Sequence, residues 1–146
     1  MVKMQATYVG GLHCELAHGP SSTILETDAP KDNKGKGERF SPTDLMGAAL
    51  SSCILTTLAI VAEPEGISLK GATAEVVKEM ISTPSRRIGS LNVVVTLPEG
   101  VPASAREKLE RVANACPVKK SLHPDIRADI TFVYPTKAGV HPTEAF

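Results

Sequence analysis

Tryptophan is absent from this 146-residue sequence, and only three Phe and two Tyr are present. Any core must therefore be built from Val, Ile, Leu, Ala and Met. Net charge is missing too, because 16 basic residues balance 16 acidic ones. Without a broad basic excess the chain lacks the electrostatic footprint of a nucleic-acid binder. Cysteine is sparse, with only Cys14, Cys53 and Cys116 at wide spacing. An odd number with no tight spacing argues against a secreted disulfide framework and a local zinc site. His13 and His18 add no ligand spacing, so neither a metal nor a cofactor is expected. Nothing in Met1-Val2-Lys3-Met4 reads as a signal peptide. These absences point to a cytoplasmic protein with one or two working thiols. Its length is that of a single domain with a real core.

What the chain does have is one long uncharged run. Residues 45–62 read LMGAALSSCILTTLAIVA, with Cys53 in the middle. The length raises the question of a membrane span. Gly47, Ser51, Ser52, Thr56 and Thr57 interrupt its apolar character, and no aromatic belt or basic cluster flanks it. A helix that is apolar on all sides must be covered on all sides. A chain of this size has little material to do so alone, which predicts a homodimer rather than a membrane protein.

The remaining pattern is α+β. Gln5–Val9 and Leu12–Ala17 flank Gly10-Gly11 as a hairpin, and Thr23–Glu26 reads as a third strand. Residues 28–40 are rich in charge, Gly and Pro and form a long loop. Ser41-Pro42-Thr43-Asp44 is a helix start: Ser41 serves as N-cap, Pro42 takes the first helical position and Asp44 lies in the first turn. That helix runs to about Ala62. Ala72–Met80 and Ile88–Leu97 alternate as paired strands around a Ser82–Ser85 turn. Val101–Ala115 places Ala105, Leu109, Val112 and Ala113 at helical spacing. Pro117 opens a short turn through Leu122, and Ile126–Tyr134 alternates as a last strand. Antiparallel sheets packed on two main helices, the first of them a long buried central helix, are expected over residues 1–135. Residues 136–146 read as a peripheral tail.

Cys53 has two readings from its residues alone. Free cysteine is among the most buried residue types, so it serves as well in a core as it does as a nucleophile. Cys116 precedes Pro117, which puts its sulfur near a helix N-terminus, where thiolate is favoured. Cys14 lies on a strand and reads as passive. Arg86 and Arg87 follow a turn and read as solvent-facing, and His123 reads as a turn residue.

The segment Phe40-Ser41-Pro42-Thr43-Asp44-Leu45-Met46-Gly47-Ala48-Ala49-Leu50-Ser51-Ser52-Cys53 resembles the first-cysteine motif of the osmotically induced protein and organic hydroperoxide resistance protein family. Pro42 stands eleven residues before Cys53, as in that motif. Ala115-Cys116-Pro117-Val118 resembles the second motif, at the family's separation, and the order of elements matches over residues 1–135. The segments Phe-Ser-Pro-Thr-Asp-Leu and Cys-Pro-Val-x-Lys-Ser-Leu are similar to the general branch of the family. The resemblance implies an intertwined homodimer with sites at its interface. It also implies a thiol peroxidase: the Cys53 thiolate attacks a hydroperoxide, Cys116 condenses with the sulfenic acid, and an external dithiol reduces the disulfide. Burial alone raises a thiol pKa, so a cation beside Cys53 is expected.

Two positions depart from the motif. Organic hydroperoxide enzymes carry Arg after an early Gly-Gly, where this chain has Leu12. They carry Glu after the motif proline, where it has Thr43, with Asp44 one residue later. Arg39 is the candidate substitute, paired with Asp44 or Glu38, and it reads equally as a solvated loop arginine. A second function class stays open: a non-enzymatic protein on the same fold that binds a small hydrophobic ligand or senses redox state.

Overall fold

The computed structural model describes residues 1–136, arranged in two compact units, Met1–Met46 and the chain from Gly47 onward. Each unit holds one three-stranded sheet. With two main helices added, the architecture is α+β, as the sequence predicts.

The first unit is an antiparallel sheet of β1 (Met4–Gly10), β2 (His13–His18) and β3 (Ile24–Asp28). Gly10 pairs with His13, so the turn residues are Gly11 and Leu12, at φ 63° and 58°. A two-residue turn with both φ values positive matches the twist of the strands it joins. Gly11 meets that demand without cost, whereas Leu12 carries a β-carbon in a region that disfavours one. The turn takes up Leu12, so β2 starts at His13 rather than at Leu12 as expected.

After β3 the chain closes on itself. The Asp28 amide donates to the Phe40 carbonyl at 3.1 Å, and Gly35 N–H donates to the Pro30 carbonyl at 2.9 Å. A β-carbon on Gly35 would lie 1.7 Å from the Ala29 oxygen, so only glycine fits there. Thr27, Asp28 and Ser41 are the buried side chains of this unit among the described residues, and none of them is apolar.

Helix α1 spans Pro42–Ala62. Its start is a reciprocal cap: the Asp44 amide donates to Ser41 Oγ at 3.0 Å, and the Ser41 amide donates to Asp44 Oδ2 at 2.8 Å. It ends in a 3-10 turn, Glu63–Glu65, where Pro64 blocks continuation and Gly66 turns at φ 75°. Gly47, Leu50, Ile54, Leu58 and Ala62 are its buried stripe. The opposite stripe of Ala49, Ser52, Thr56 and Ile60 is exposed in the single chain, with Ile60 at 72 %.

The second unit packs this stripe against the other sheet. A β-carbon on Gly47 would be in ordinary contact with Val76 and Leu91, which brings the helix close to the strands. Strands β4 (Thr73–Ile81) and β5 (Arg87–Thr96) pair antiparallel. Strand β6 (Ile130–Val133) pairs with β5 in parallel, so this sheet is mixed rather than antiparallel as expected. A parallel neighbour needs a crossover connection, and α2 (Ala103–Asn114) and α3 (Pro117–Ser121) supply it. The alternation over 126–134 overstated the strand. Before Ile130 only a bridge joins Arg127 to Ser90, with Leu91 N–H donating to the Arg127 carbonyl at 2.8 Å.

The hydrophobic core lies wholly in this unit. Leu50, Ile54, Leu58, Leu91, Val93 and Val95 are fully buried within it. Each such side chain contributes about 1.5–3 kcal/mol on burial. The tail expected at 136–146 lies outside the described residues apart from Thr136.

Candidate active site

Cys53 sits half-buried on α1, one position before the fully buried Ile54. Helical geometry places its side chain beside that of Thr57, four residues on. The Cys53 sulfur and Thr57 Oγ1 are 3.7 Å apart.

Cys116 is the N-cap of α3, in extended conformation at φ −62° and ψ 143°, and Pro117 takes the first helical position. Its sulfur accepts a hydrogen bond from the Lys119 amide at 3.4 Å, and the residue is fully buried. The fold brings the two sulfurs within hydrogen-bonding reach of each other, and both thiols are free.

The surroundings divide the proton unevenly between them. Burial pushes the Cys53 thiol up. Hydrogen bonds from the Val118 amide, the Thr57 hydroxyl and the Cys116 thiol more than offset this, and Cys53 titrates below the ordinary cysteine value. Burial pushes the Cys116 thiol up as well. The Lys119 amide offsets part of that, the neighbouring Cys53 sulfur raises it further, and Cys116 titrates above the ordinary value. The sequence expectation that the α3 N-terminus favours thiolate at Cys116 is therefore displaced. The Val118 amide is directed at Cys53, and Cys53 is the more acidic of the two thiols.

Arg39 and Asp44 have other engagements. Arg39 Nε donates to Glu26 Oε2 at 3.3 Å, and its Nη1 donates to the Glu38 carbonyl at 3.1 Å. Its carboxylate partner is thus Glu26, not Asp44 or the Glu38 side chain. Asp44 caps α1 through Ser41. Glu26 also meets His13 Nε2 at 3.1 Å, and His13 Nδ1 lies 2.5 Å from Asp28 Oδ1. Asp28 Oδ2 accepts from the Glu38 amide at 2.9 Å. His13 and Asp28 are cross-strand partners, and Glu26 lies two residues before Asp28 on the same face. The hydrogen bond to Asp28 raises the His13 imidazole above its ordinary value. The same contact lowers Asp28, and His13 followed by Arg39 lowers Glu26. Sequence reasoning missed this four-residue network, because only strand pairing assembles it.

The closest chemical neighbours of Cys53 were also missed. Thr57 was readable in principle from its helical spacing to Cys53. The Val118 amide was not, since it reaches Cys53 from another element. An open depression in the first unit is lined by Val2, Lys3, Met4, Gln5, Ala17 and Gly19, none of which belongs to the groups above.

The fold has counterparts in known proteins. The OsmC-like protein family matches residues 35–131, which include both cysteines. A crystal structure from Psychrobacter arcticus 273-4, provisionally described as an osmotic stress induced and detoxification response protein, is 39 % identical with a TM-score of 0.85. The match covers 90 % of this chain and 96 % of that one.

The chain belongs to the OsmC-like family.

Two more distant structures share the fold of this OsmC-like protein. The Legionella pneumophila organic hydroperoxide resistance protein OsmC is 18 % identical with a TM-score of 0.73, over 90 % of this chain and 96 % of that one. The Bacillus subtilis organic hydroperoxide resistance protein OhrB is 17 % identical with a TM-score of 0.64, over 90 % and 97 %. No curated protein matches this chain. The OsmC-like protein thus shares its fold with these organic hydroperoxide resistance proteins.

Proposed function

We propose that this protein is a cysteine-dependent peroxidase that reduces organic hydroperoxides, working as a homodimer in the cytoplasm with both units as parts of one functional domain. The observation that carries the reading is the proximity of Cys53, whose thiol is shifted below the ordinary value, to the buried Cys116, whose thiol is shifted above it. A lowered pKa suits a nucleophile, and a resolving thiol tolerates a raised one. The names of the Legionella and Bacillus structures point the same way.

The steps follow from that order of acidity. The Cys53 thiolate attacks one peroxide oxygen, the O–O bond breaks, and the products are a Cys53 sulfenic acid and an alkoxide that takes a proton from water. The Cys116 sulfur then attacks the Cys53 sulfur. A disulfide forms, and the hydroxyl leaves as water with the Cys116 proton. An external dithiol exchanges with this disulfide, becomes oxidised itself and returns both thiols. The apolar surroundings of α1 favour an organic hydroperoxide over hydrogen peroxide.

Two exposed surfaces support the dimer. The Ala49, Ser52, Thr56 and Ile60 stripe of α1 is largely apolar or small. The first sheet exposes Met4, Tyr8, Val9, Ile24 and Leu25 and has no apolar core of its own. Large exposed apolar areas mark association surfaces.

A second reading draws on Leu12 and Thr43, which replace the arginine and glutamate of the hydroperoxide enzymes. In that reading the protein binds a small hydrophobic ligand or senses redox state, with the thiols not turning over. Consumption of cumene hydroperoxide with a dithiol as reductant separates the two. Sustained turnover supports the peroxidase. Ligand binding with no peroxide loss supports the alternative.

A further inference from the structure

We infer that Thr57 is a positioning residue that holds the Cys53 sulfur as thiolate by donating its hydroxyl proton to it. The inference rests on the reading of Cys53 as the nucleophile. It assigns part of the work expected of a cation to an uncharged hydroxyl on the same helix.

Hydroxyls on α1 have a default partner, the backbone carbonyl one turn back. Ser51 Oγ donates to the Ala48 carbonyl at 3.0 Å. Thr56 Oγ1 donates to the Ser52 carbonyl at 2.9 Å and approaches the Cys53 carbonyl at 3.2 Å. Thr57 differs, because its Oγ1 lies 3.7 Å from the Cys53 sulfur. A thiolate has no proton to give, so in the charged state the donor is the Thr57 hydroxyl. Both groups are partly buried, where a hydrogen bond to a charged acceptor is stronger than in water.

The position suits the task. Threonine is β-branched and its rotamer is restricted in a helix, so the hydroxyl is directed with little loss of freedom. Leu58 beside it is fully buried and pins this turn of α1 into the core. The Val118 amide approaches the same sulfur from α3, so one donor comes from the helix of the nucleophile and one from the segment of the second thiol. Arg39, meanwhile, is engaged by Glu26.

The test compares Thr57→Val, which keeps the branched shape and removes the hydroxyl, with Thr57→Ser, which keeps the hydroxyl. The readout is the pH midpoint of iodoacetamide alkylation at Cys53, followed on the Cys53 peptide by mass spectrometry without any peroxide. Loss of one hydrogen bond to a charged group is expected to raise the midpoint by about one pH unit in Thr57→Val. Thr57→Ser is expected to stay near the parent value. Thermal melting of both variants confirms that they are folded. A parent-like midpoint in folded Thr57→Val overturns the inference, as does an equal shift in both variants. Because the titration needs no turnover, a shifted midpoint in a protein that consumes no hydroperoxide would keep this inference and remove the peroxidase reading.

Discussion

The Cys116 thiol lies within hydrogen-bonding reach of the Cys53 sulfur, and the two titrate in opposite directions from the ordinary cysteine value. A limiting amount of iodoacetamide at mildly alkaline pH should therefore modify Cys53 well before Cys116. Peptide mass spectrometry reads the order directly. Preferential labelling of Cys116 would reverse the assignment of the thiolate.

The His13 network makes a separate prediction about pH. Asp28 holds the imidazole above its ordinary value of about 6.5. The stability it contributes is fully present below the unfolded imidazole value and is lost as pH rises through the raised folded value. Asp28 and Glu26 are lowered, so their contribution is present above the unfolded carboxylate values and lost as pH falls through the lowered ones. The ion-paired loop should be most stable between these limits. An NMR titration of His13 should give a midpoint above that of a free imidazole. His13→Gln should flatten the alkaline limb of melting temperature against pH. A midpoint at or below the free value would show that the ion pair does not form in solution.

The core of the second unit should respond steeply to truncation. Leu58 is fully buried on α1, and Leu58→Ala leaves a cavity beside β-strand side chains. The expected loss is about 2–5 kcal/mol in urea unfolding. A cost below about 1 kcal/mol would mean that this turn of the helix is not packed as described.

Ile60, on the other face of α1, is 72 % exposed in the single chain. If a second copy covers this face, Ile60→Asp should weaken the dimer by burying an unpaired charge. Sedimentation of dilute protein should show a stable dimer for the parent and a concentration-dependent equilibrium for the variant. A parent protein that sediments as a folded monomer would contradict the proposed assembly.

These expectations show how far the sequence carries. The cap of α1 was legible because Ser41, Pro42 and Asp44 act within one turn, and the two cysteines were legible through the motifs around them. The buried stripe from Gly47 to Ala62 was not separable from the rest of an uncharged run, since periodicity fades where every face is apolar. The parallel pairing of β6 depends on a crossover that strand alternation does not encode. Arg39 was found, but Glu26 as its partner was not, because register rather than spacing joins them. The Val118 amide carries no side-chain signature at all. It becomes a donor to Cys53 only when α3 is placed beside α1.

The most direct test of the peroxidase reading is single-turnover reaction with cumene hydroperoxide, read by intact mass on Cys53→Ser, Cys116→Ser and the parent. The parent should lose two hydrogens as its disulfide forms. Cys116→Ser should gain one oxygen at Cys53 and, in excess peroxide, advance to the sulfinic form. Cys53→Ser should not react, and Cys14→Ser should match the parent. Retained peroxide consumption in Cys53→Ser with loss in Cys116→Ser would reverse the two roles, and an unreactive parent would contradict the account as a whole.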